Sequence, residues 1–377
     1  MNAGTRAGGY DFVVVGGGVV GSSIAFGLAE RGRRVAVLDE GDRAQRAART
    51  NFGLVWVQSK GDGMPAYMRW TRRSADLWPV FAQRLESLTG VGIEYRKAGG
   101  LVYCLGPVEF DARREKVEQL RAQADIYGTE MIERAALERL VPGARFGPDV
   151  VGASHCPNDG HCNPLLLLKA LHAALAIHGA HYLPDAPARN IVHREGRFVV
   201  DTPRGSIEAG RLVLAAGHGT PALADAIDLP APMKAERGQI LVTERCRPIL
   251  PIPGSGIRQT QDGTFLIGSS KEKTGFDDST TVAVGGRMAA RAIRILPELG
   301  GIRLTRTWGG IRVLTPDNHP VYAESARCPG AFVAICHSGI TLAAVHAADL
   351  AEAISGGALG PTLEAFHARR FHVPKAA

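Results

Sequence analysis

The first short apolar run of this 377-residue chain lies near its start, and an amphipathic stretch follows it directly. Residues 10–15 are mostly apolar and rich in valine, which predicts a buried strand. Apolar positions then recur with helical spacing over residues 19–31, and Gly32 predicts the end of that helix. A second apolar run at 34–38 completes a β-α-β unit, which favours a parallel sheet.

Further helices and strands follow from the same two periodicities. Helices are predicted over residues 66–89, 109–127, 135–140, 164–179, 285–296 and 340–355. Strands are predicted over residues 99–105, 190–193, 197–202, 205–208, 211–216, 239–243, 264–268, 302–313 and 331–335. Pro79 is expected to kink or break its helix, whereas Asn163 and Pro164 favour a helix start. Because strands typical of a parallel sheet occur at both ends and in the middle, two interleaved domains are expected.

Composition and cysteine usage are those of an ordinary globular protein. Hydrophobic residues make up 45% of the chain and charged residues 21%. The six cysteines include no CxxC pair, which argues against a zinc ribbon and against a dense disulfide framework. We therefore expect a cytoplasmic protein, with peripheral attachment to the inner membrane left open. No uncharged apolar run reaches the roughly 18 residues of a transmembrane helix, so no membrane span is expected.

The formal net charge of +7 is spread along the chain. A nucleic-acid-binding face needs lysine and arginine clustered with aromatic residues, so no nucleic-acid partner is expected. The basic balance is compatible with an anionic substrate, an acidic partner or a bias of composition.

Residues 16–21 read Gly-Gly-Gly-Val-Val-Gly, a GxGxxG motif between a predicted strand and a predicted helix. Gly16 permits the tight turn, Gly18 lets the backbone approach a pyrophosphate, and Gly21 lets the helix pack closely on the strand. Asp39 ends the second strand, where a carboxylate receives ribose hydroxyls. These features predict a dinucleotide site, and by themselves they do not separate FAD from NAD.

Three later stretches of the sequence also have features of a cofactor-binding or substrate-binding site. An apolar strand at 212–217 ends in small residues that allow a nucleotide to approach its backbone. Residues 308–317 read Trp-Gly-Gly-Ile-Arg-Val-Leu-Thr-Pro-Asp. Residues 336–344 begin Cys-His-Ser-Gly-Ile-Thr, where a strand ends and a helix begins. The start of that helix is a second place for an electron-rich ring or an anion.

In this order and spacing, the motifs resemble the D-amino acid oxidase-like (DAO) family of FAD-dependent oxidoreductases. The resemblance covers nearly the whole chain and includes residues 50–53, 157–160 and 237–239. Within the family, residues 49–55 and 336–341 are similar to the beta subunits of D-hydroxyproline dehydrogenase, opine oxidases and hydrogen cyanide synthase.

The resemblance implies a fold of the α/β plus α+β class. A Rossmann-type FAD-binding domain would be interleaved with a substrate domain built on a mixed β-sheet, as in the glutathione-reductase-type fold. The FAD-binding domain would comprise residues 1–80, 150–222 and 316–377, and the substrate domain residues 81–149 and 223–315.

The same resemblance implies FAD as the cofactor, held without a covalent bond. The tethering cysteine of some sarcosine oxidase relatives has no counterpart in residues 308–317. The expected cofactor contacts are Gly16, Gly18, Val19, Val20, Gly21, Asp39, Glu40, Arg46, Thr50, Asn51, Gly53, Ala188, Ala215, Gly217, Gly310, Gly339, Ile340 and Thr341.

Arg312 and His337 are the expected catalytic and substrate-binding residues. Arg312 stands where several relatives use an arginine to hold the substrate carboxylate, and its planar guanidinium suits two parallel hydrogen bonds. His337 lies beside the turn expected at the flavin, where it is either a substrate contact or a packing residue.

Trp56 and Arg258 are further expected substrate contacts. Trp56, with the following Gln58 and Lys60, either lines the substrate cavity or belongs to an ordinary loop. Arg258 is the weaker of two candidates for an anion contact. The His-Cys pairs at 155–156 and 161–162 match no common zinc spacing, so no metal site is expected.

The resemblance implies that a small D- or secondary amino acid, such as D-hydroxyproline or D-proline, is oxidised at its C–N bond by hydride transfer to flavin N5. Electrons would pass to partner subunits carrying further flavin or an iron–sulfur cluster. Two alternatives remain open: a component of an opine oxidase or dehydrogenase, and a non-catalytic electron-transfer flavoprotein subunit.

The strand that carries a lysine near the flavin in oxygen-using sarcosine oxidases corresponds to residues 264–268. Leu266 occupies the lysine position in this chain, although Lys271 follows closely. A leucine cannot stabilise the negative charge that develops when oxygen is reduced. We therefore expect a dehydrogenase rather than an oxidase.

Overall fold

The computed structural model describes residues 9–41, 46–124, 126, 128–229 and 231–371. Its strands are β1 (Tyr10–Val15), β2 (Val35–Leu38), β3 (Leu54–Val55), β4 (Gly100–Leu105), β5 (Glu130–Glu133), β6 (Val150–Cys156), β7 (Gly160–His161), β8 (His181–Leu183), β9 (Asn190–Arg194), β10 (Arg197–Thr202), β11 (Gly205–Leu214), β12 (Lys234–Arg245), β13 (Ile257–Gln259), β14 (Thr264–Gly268), β15 (Leu304–Leu314), β16 (Val321–Glu324) and β17 (Ala331–Ile335).

Nine α-helices lie within the described residues, joined in places by 3₁₀ turns. They are α1 (Val19–Glu30), α2 (Pro65–Thr89), α3 (Pro107–Gln123), α4 (Arg134–Leu140), α5 (Pro164–Ile177), α6 (Thr220–Ala224), α7 (Val282–Ile295), α8 (Gly339–Val345) and α9 (Ala351–Gly356). The described helices include none with the length and apolar character that crossing a bilayer requires.

The largest sheet is the predicted parallel sheet, and β1 lies inside it. The strand order is β16-β17-β11-β1-β2-β8, and β1 runs parallel to both of its neighbours, β11 and β2. Phe12 and Val14 pack into the core shared with α1, α2 and α5, whereas Val13 and Val15 pack on the other face. Burial on both faces explains why these strands read as continuous apolar runs.

Two antiparallel sheets form the other half of the molecule. One has the order β13-β14-β12-β15 and the other β4-β6-β5. An isolated parallel bridge pairs Leu101 of β4 with Gly254, which lies just before β13. Leu101, Phe265 and Ile295 belong to the third apolar core, which lies between these sheets and α7.

The predicted division into two interleaved domains stays a prediction, and one of its boundaries crosses a sheet. Strand β6 begins at Val150 and pairs with β4 and β5, which lie before the predicted boundary between 149 and 150. Because hydrogen bonds of one sheet cross this point, the chain does not separate cleanly there.

Three predicted elements differ from the structure. Helix α2 continues through Pro79 without a break. The strands predicted at 205–208 and 211–216 are one strand, β11, whose first half pairs antiparallel with β10 and whose second half pairs parallel with β1. The predicted helix at 340–355 contains a π-helical segment, His346–Leu350, between α8 and α9. The buried His346 ring there hydrogen-bonds the Tyr322 hydroxyl at 2.7 Å.

Candidate active site

A cavity of about 1170 Å³ extends from the carboxyl end of β1 to the face of β12 and β15. It lies where ligands bind in open α/β sheets, beyond the carboxyl ends of the parallel strands. One end is lined by the glycine turn, the acidic end of β2 and Ala188, and the other by Trp56 and Arg312. A long cavity of this kind can hold a dinucleotide at one end and a small substrate at the other.

The glycine turn has the geometry that its sequence predicts. Gly16 has φ +112°, a conformation that favours glycine. A Cβ on Gly21 would clash with the carbonyl oxygen of Gly16, so Gly21 permits the close contact of α1 with β1. Gly18 caps α1 without a side-chain hydrogen bond, and a Cβ there would point into open space, 4.0 Å from Ala48. The first turn of α1 therefore presents backbone N–H groups to the cavity.

Asp39 lies at the expected place and is held by backbone and by a cation. Its carboxylate accepts hydrogen bonds from the Gly17 N–H at 2.6 Å and the Gly41 N–H at 2.8 Å. Arg46 forms ion pairs with Asp39 at 3.1 Å and Glu40 at 2.6 Å. The Arg46 Nε is buried and has no hydrogen-bond partner among the described residues, which suits a nearby anion.

The middle of the cavity is shaped by a second glycine and by the start of α8. A Cβ on Gly310 would clash with the Thr50 side chain, so β15 and the Thr50 loop approach closely. Thr341 accepts the Trp56 N–H at 3.0 Å and donates to the Leu54 carbonyl at 3.3 Å. These contacts join the glycine-rich strand, the 50–56 loop and α8 into one wall.

This chain's residues therefore fit FAD. The open position at Gly18, the uncapped start of α1 and the buried Arg46 Nε suit a pyrophosphate. Asp39 suits ribose hydroxyls, and the cavity continues past Gly310 with space for a ring system.

Most of the predicted site residues line this cavity. Three of them do not: Gly21, Gly53 and Arg258. Gly21 serves helix–strand packing instead, and Gly53 has φ +86° at a turn where a Cβ would clash with the Cys162 carbonyl. Arg258 is buried, at 3% exposure, and hydrogen-bonds the His161 ring at 3.1 Å.

Arg312 lines the cavity, and its guanidinium already has partners. Nη1 donates to Glu236 Oε1 at 2.9 Å and to the Arg237 carbonyl at 3.1 Å. Nη2 donates to Ser269 Oγ at 2.7 Å and to the Ser270 carbonyl at 2.5 Å. A carboxylate can bind to the same nitrogens only by displacing some of these acceptors, since each terminal nitrogen has two hydrogens.

His337 is surrounded by protein but open to the cavity. Burial lowers its pKa well below the usual range, and the positive charges of Lys60, Arg312 and Lys271 lower it further. His337 is therefore neutral near pH 7 and can exchange hydrogen bonds with a substrate without adding charge.

Several residues that line the cavity were not predicted as site residues from the sequence. The chain after β14 contributes Ser269, Lys271, Phe276 and Asp278 to the cavity wall. It is a loop without hydrophobic periodicity, so no pattern marks it. Lys60 also lines the cavity and was predicted only as one possibility.

The position of Leu266 does not support the argument by which a dehydrogenase was expected rather than an oxidase. Leu266 is buried in β14, at 7% exposure, and does not line the cavity. Lys60 and Lys271 do line it, so the cavity wall carries lysines despite the leucine.

His155 and Cys156 belong to strand β6, His161 hydrogen-bonds Arg258, and the Cys162 N–H donates to the Gly53 carbonyl. The described part of the chain holds no group of three or more His, Cys, Asp or Glu side chains placed to bind a metal ion.

The glycine turn and the cavity it opens into fit an enzyme that binds a dinucleotide cofactor. Residues 11–353 match the model of the DAO family, described as FAD dependent oxidoreductase. The chain belongs to this family and is an FAD-dependent oxidoreductase.

Similar proteins cover nearly the whole length of the chain. An opine oxidase subunit of Agrobacterium tumefaciens (strain Ach5) is 40% identical, over 97% of this chain and 99% of that protein. Hydrogen cyanide synthase subunit HcnC of Pseudomonas aeruginosa is 28% identical, over 98% of each. The crystal structure of glycine oxidase from Geobacillus kaustophilus has the same fold, with a TM-score of 0.86, 24% identity, and coverage of 95% of this chain and 98% of that one. The first two names describe subunits of larger enzymes.

Proposed function

We propose that this chain is the catalytic subunit of an enzyme that oxidises the secondary C–N bond of an opine, an amino acid whose nitrogen carries a second substituent. The observation that carries the proposal is the cationic wall of Lys271 and Arg312 at the far end of an FAD-sized cavity. The 40% identity to the opine oxidase subunit of Agrobacterium tumefaciens, over nearly the full length of both chains, supports this substrate class.

FAD, when bound, accepts a hydride at N5 from the carbon that bears the nitrogen. The chain's own residues would place that carbon. We propose that Arg312 holds the substrate carboxylate, with Lys271 beside it, after the carboxylate displaces part of the hydrogen bonding to Ser269 and Ser270. Neutral His337 and Trp56 would border the rest of the substrate.

A second candidate substrate is D-proline or D-hydroxyproline. These are also secondary amines with one carboxylate, and the same cationic wall suits them. A third candidate function is electron transfer without catalysis. In that case no amine would reduce the bound flavin.

The experiment is anaerobic reduction of the purified, FAD-loaded chain by a panel of amines. The panel contains octopine, D-proline, trans-4-hydroxy-D-proline, sarcosine and glycine. We expect octopine to bleach the visible flavin absorption fastest. Faster bleaching by D-proline or hydroxy-D-proline would favour the second candidate, and no bleaching by any amine would favour the electron-transfer role.

We propose that FAD is held without a covalent bond. Residues 308–317 contain no cysteine. Cys336 does line the cavity, but burial raises the pKa of its thiol to about 12, so the nucleophilic thiolate is scarce.

We also propose that electrons leave the flavin for partner subunits that carry further flavin or an iron–sulfur cluster, in the cytoplasm. The names of both curated relatives, each a subunit of an enzyme, support the first part. All six cysteines lie in the described part of the chain as free thiols, which fits a reducing compartment.

The isolated chain should therefore react slowly with oxygen. After anaerobic reduction by substrate, we expect air to restore the flavin absorption more slowly than an artificial dye acceptor does, because the natural acceptor is another subunit. Stopped-flow absorption after mixing with air-saturated buffer or with dye measures both rates. Equal rates would identify an oxidase and contradict the proposal.

A further inference from the structure

The segment from Leu54 to Lys60 is held rigidly along one wall of the cavity. Its first part is fixed by Thr341, which bonds the Trp56 N–H and the Leu54 carbonyl. Its second part is fixed by Asp159, which accepts the Val57 N–H at 2.5 Å. Trp56, near the middle of this segment, and Lys60, at its end, both line the cavity.

Asp159 belongs to a buried network centred on the Gln58 side chain. Gln58 donates to Asp159 at 2.7 Å and to the Gly100 carbonyl at 3.0 Å. The Gln58 carbonyl oxygen accepts from Ser154 and from Arg113, each at 2.8 Å. Gln58 and Asp159 are both fully buried. Because both ends of the Gln58 amide are satisfied, the network has one stable arrangement.

A tight turn then directs Lys60 to the cavity. The Lys60 N–H donates to the Val57 carbonyl at 3.1 Å, and Ser59 adopts a positive φ of 73°. Arg113 also bonds the Ser59 hydroxyl at 2.7 Å. A non-glycine residue in the left-handed region is uncommon, and it persists where surrounding contacts impose it. Here those contacts are the ones that present Lys60.

The charged groups around Lys60 shift its pKa in opposite directions. Burial lowers the pKa of Lys60 to about 8, and the positive charges of Lys271 and Arg312 lower it further. Asp159 opposes this by favouring the charged amine, and Cys336 would do so as a thiolate. A substantial fraction of Lys60 is therefore uncharged just above neutral pH, where a base is most effective.

A substrate amine must lose its proton before it can be oxidised, since a protonated nitrogen has no lone pair to form the C=N bond. Lys271 is exposed to solvent, and the pKa of His337 lies well below the usual range, so His337 is a weak base. Lys60 is only partly exposed, lines the cavity and ends the segment whose backbone is fixed through Asp159.

We propose that Lys60 is the proton acceptor for the substrate ammonium group and that Asp159 is the positioning residue that holds Lys60 at the cavity. This inference rests on the proposed amine oxidation. One proton moves from the substrate nitrogen to Nζ of Lys60. The nitrogen lone pair then forms the C=N bond as the C–H hydrogen leaves with its electron pair to FAD. The proton on Lys60 returns to solvent through the cavity.

The first test compares Lys60→Met and Lys60→Arg with wild type in anaerobic flavin reduction by octopine and by D-proline. The wild-type rate should rise with pH through about 8 and then level off. In both variants the rate should no longer rise with pH in this range, and near neutral pH it should be roughly 10²–10⁴-fold lower, because neither has a usable base. We call this rise of the rate with pH the basic limb of the profile. Lys169→Met, on the exposed face of α5, should leave the profile unchanged.

A Lys60→Arg variant that keeps wild-type rates would show that the site needs a positive charge rather than a base, and it would overturn the proposal. Asp159→Asn gives a second reading. Removing the negative charge near Lys60 should move the limb to lower pH while the limb persists. A purely structural role for Asp159 would lower the rate without moving the limb.

Competitive acetylation of the FAD-loaded protein provides a readout that does not depend on turnover. The reactivity of Lys60 towards acetic anhydride as a function of pH, followed by peptide mass spectrometry, should show a midpoint near 8, with exposed Lys169 as the reference. A midpoint near the ordinary lysine value of about 10.4 would overturn the Lys60 proposal even if amines reduce the flavin. If no amine reduces the wild-type flavin, the proposed function itself fails and the proton-acceptor role falls with it, whatever the midpoint.

Discussion

Gly18→Val is expected to weaken FAD binding strongly while leaving the fold intact. Gly18 has φ −72° and ψ −179°, an extended conformation that valine also adopts, and its Cβ would point into open cavity space. The added side chain would fill the place where the pyrophosphate meets the first turn of α1. We expect FAD affinity to fall more than about 100-fold, or roughly 2.7 kcal/mol. The ratio of flavin to protein absorption after purification measures the loss.

Two comparisons separate a cofactor effect from a folding effect. Gly286→Val lies on the exposed face of α7, where a Cβ also meets open space, and it should retain full flavin. The melting temperature of Gly18→Val should match that of wild type stripped of FAD, because only the contribution of bound ligand is lost. Full flavin occupancy in Gly18→Val would show that the pyrophosphate does not lie against this turn.

The dinucleotide half of the site was predictable because its determinants are local. The strand, the glycine turn, the helix and Asp39 lie within about thirty consecutive residues, and each is marked by periodicity or by a residue type with one conformational role. The structure confirms the strand β1 and the helix α1. Gly16 lies in the turn between them, with a positive φ.

The substrate half was less predictable because its contacts join residues that are distant in sequence. Glu236 lies directly opposite Arg312 in the β12–β15 register, although 76 positions separate them. No pattern in either strand shows that pairing in advance. The role of Arg258 was similarly hidden, since its partner His161 lies on a different sheet.

The role of Lys60 was also difficult to predict from the sequence. Its neighbours Trp56 and Gln58 give no helical or alternating pattern, so the segment reads equally as a cavity wall or as a loop. What distinguishes Lys60 is the network through Asp159, about one hundred residues later in the chain. Electrostatic properties of this kind emerge from the fold and not from local sequence.

Arg312→Leu should lose most of the catalytic efficiency towards a substrate with a carboxylate. Truncating one partner of a buried charge pair costs about 2–5 kcal/mol. The corresponding loss in kcat/KM is roughly 30-fold to several-thousand-fold. Steady-state kinetics with a dye acceptor measure it. A value within about threefold of wild type, under about 1 kcal/mol, would contradict the carboxylate contact.

The existing ion pair with Glu236 complicates that experiment, because Arg312→Leu also leaves Glu236 without its partner at 2.9 Å. Two measurements resolve the ambiguity. Wild type should prefer D-proline over pyrrolidine, which lacks the carboxylate, and Arg312→Leu should lose this preference if Arg312 binds the carboxylate. Glu236→Gln should keep the preference, because the guanidinium stays and loses a competing anion. If Glu236→Gln loses the preference as fully as Arg312→Leu does, the ion pair maintains the shape of the site. Another residue of the cavity wall, such as Lys271, then binds the carboxylate.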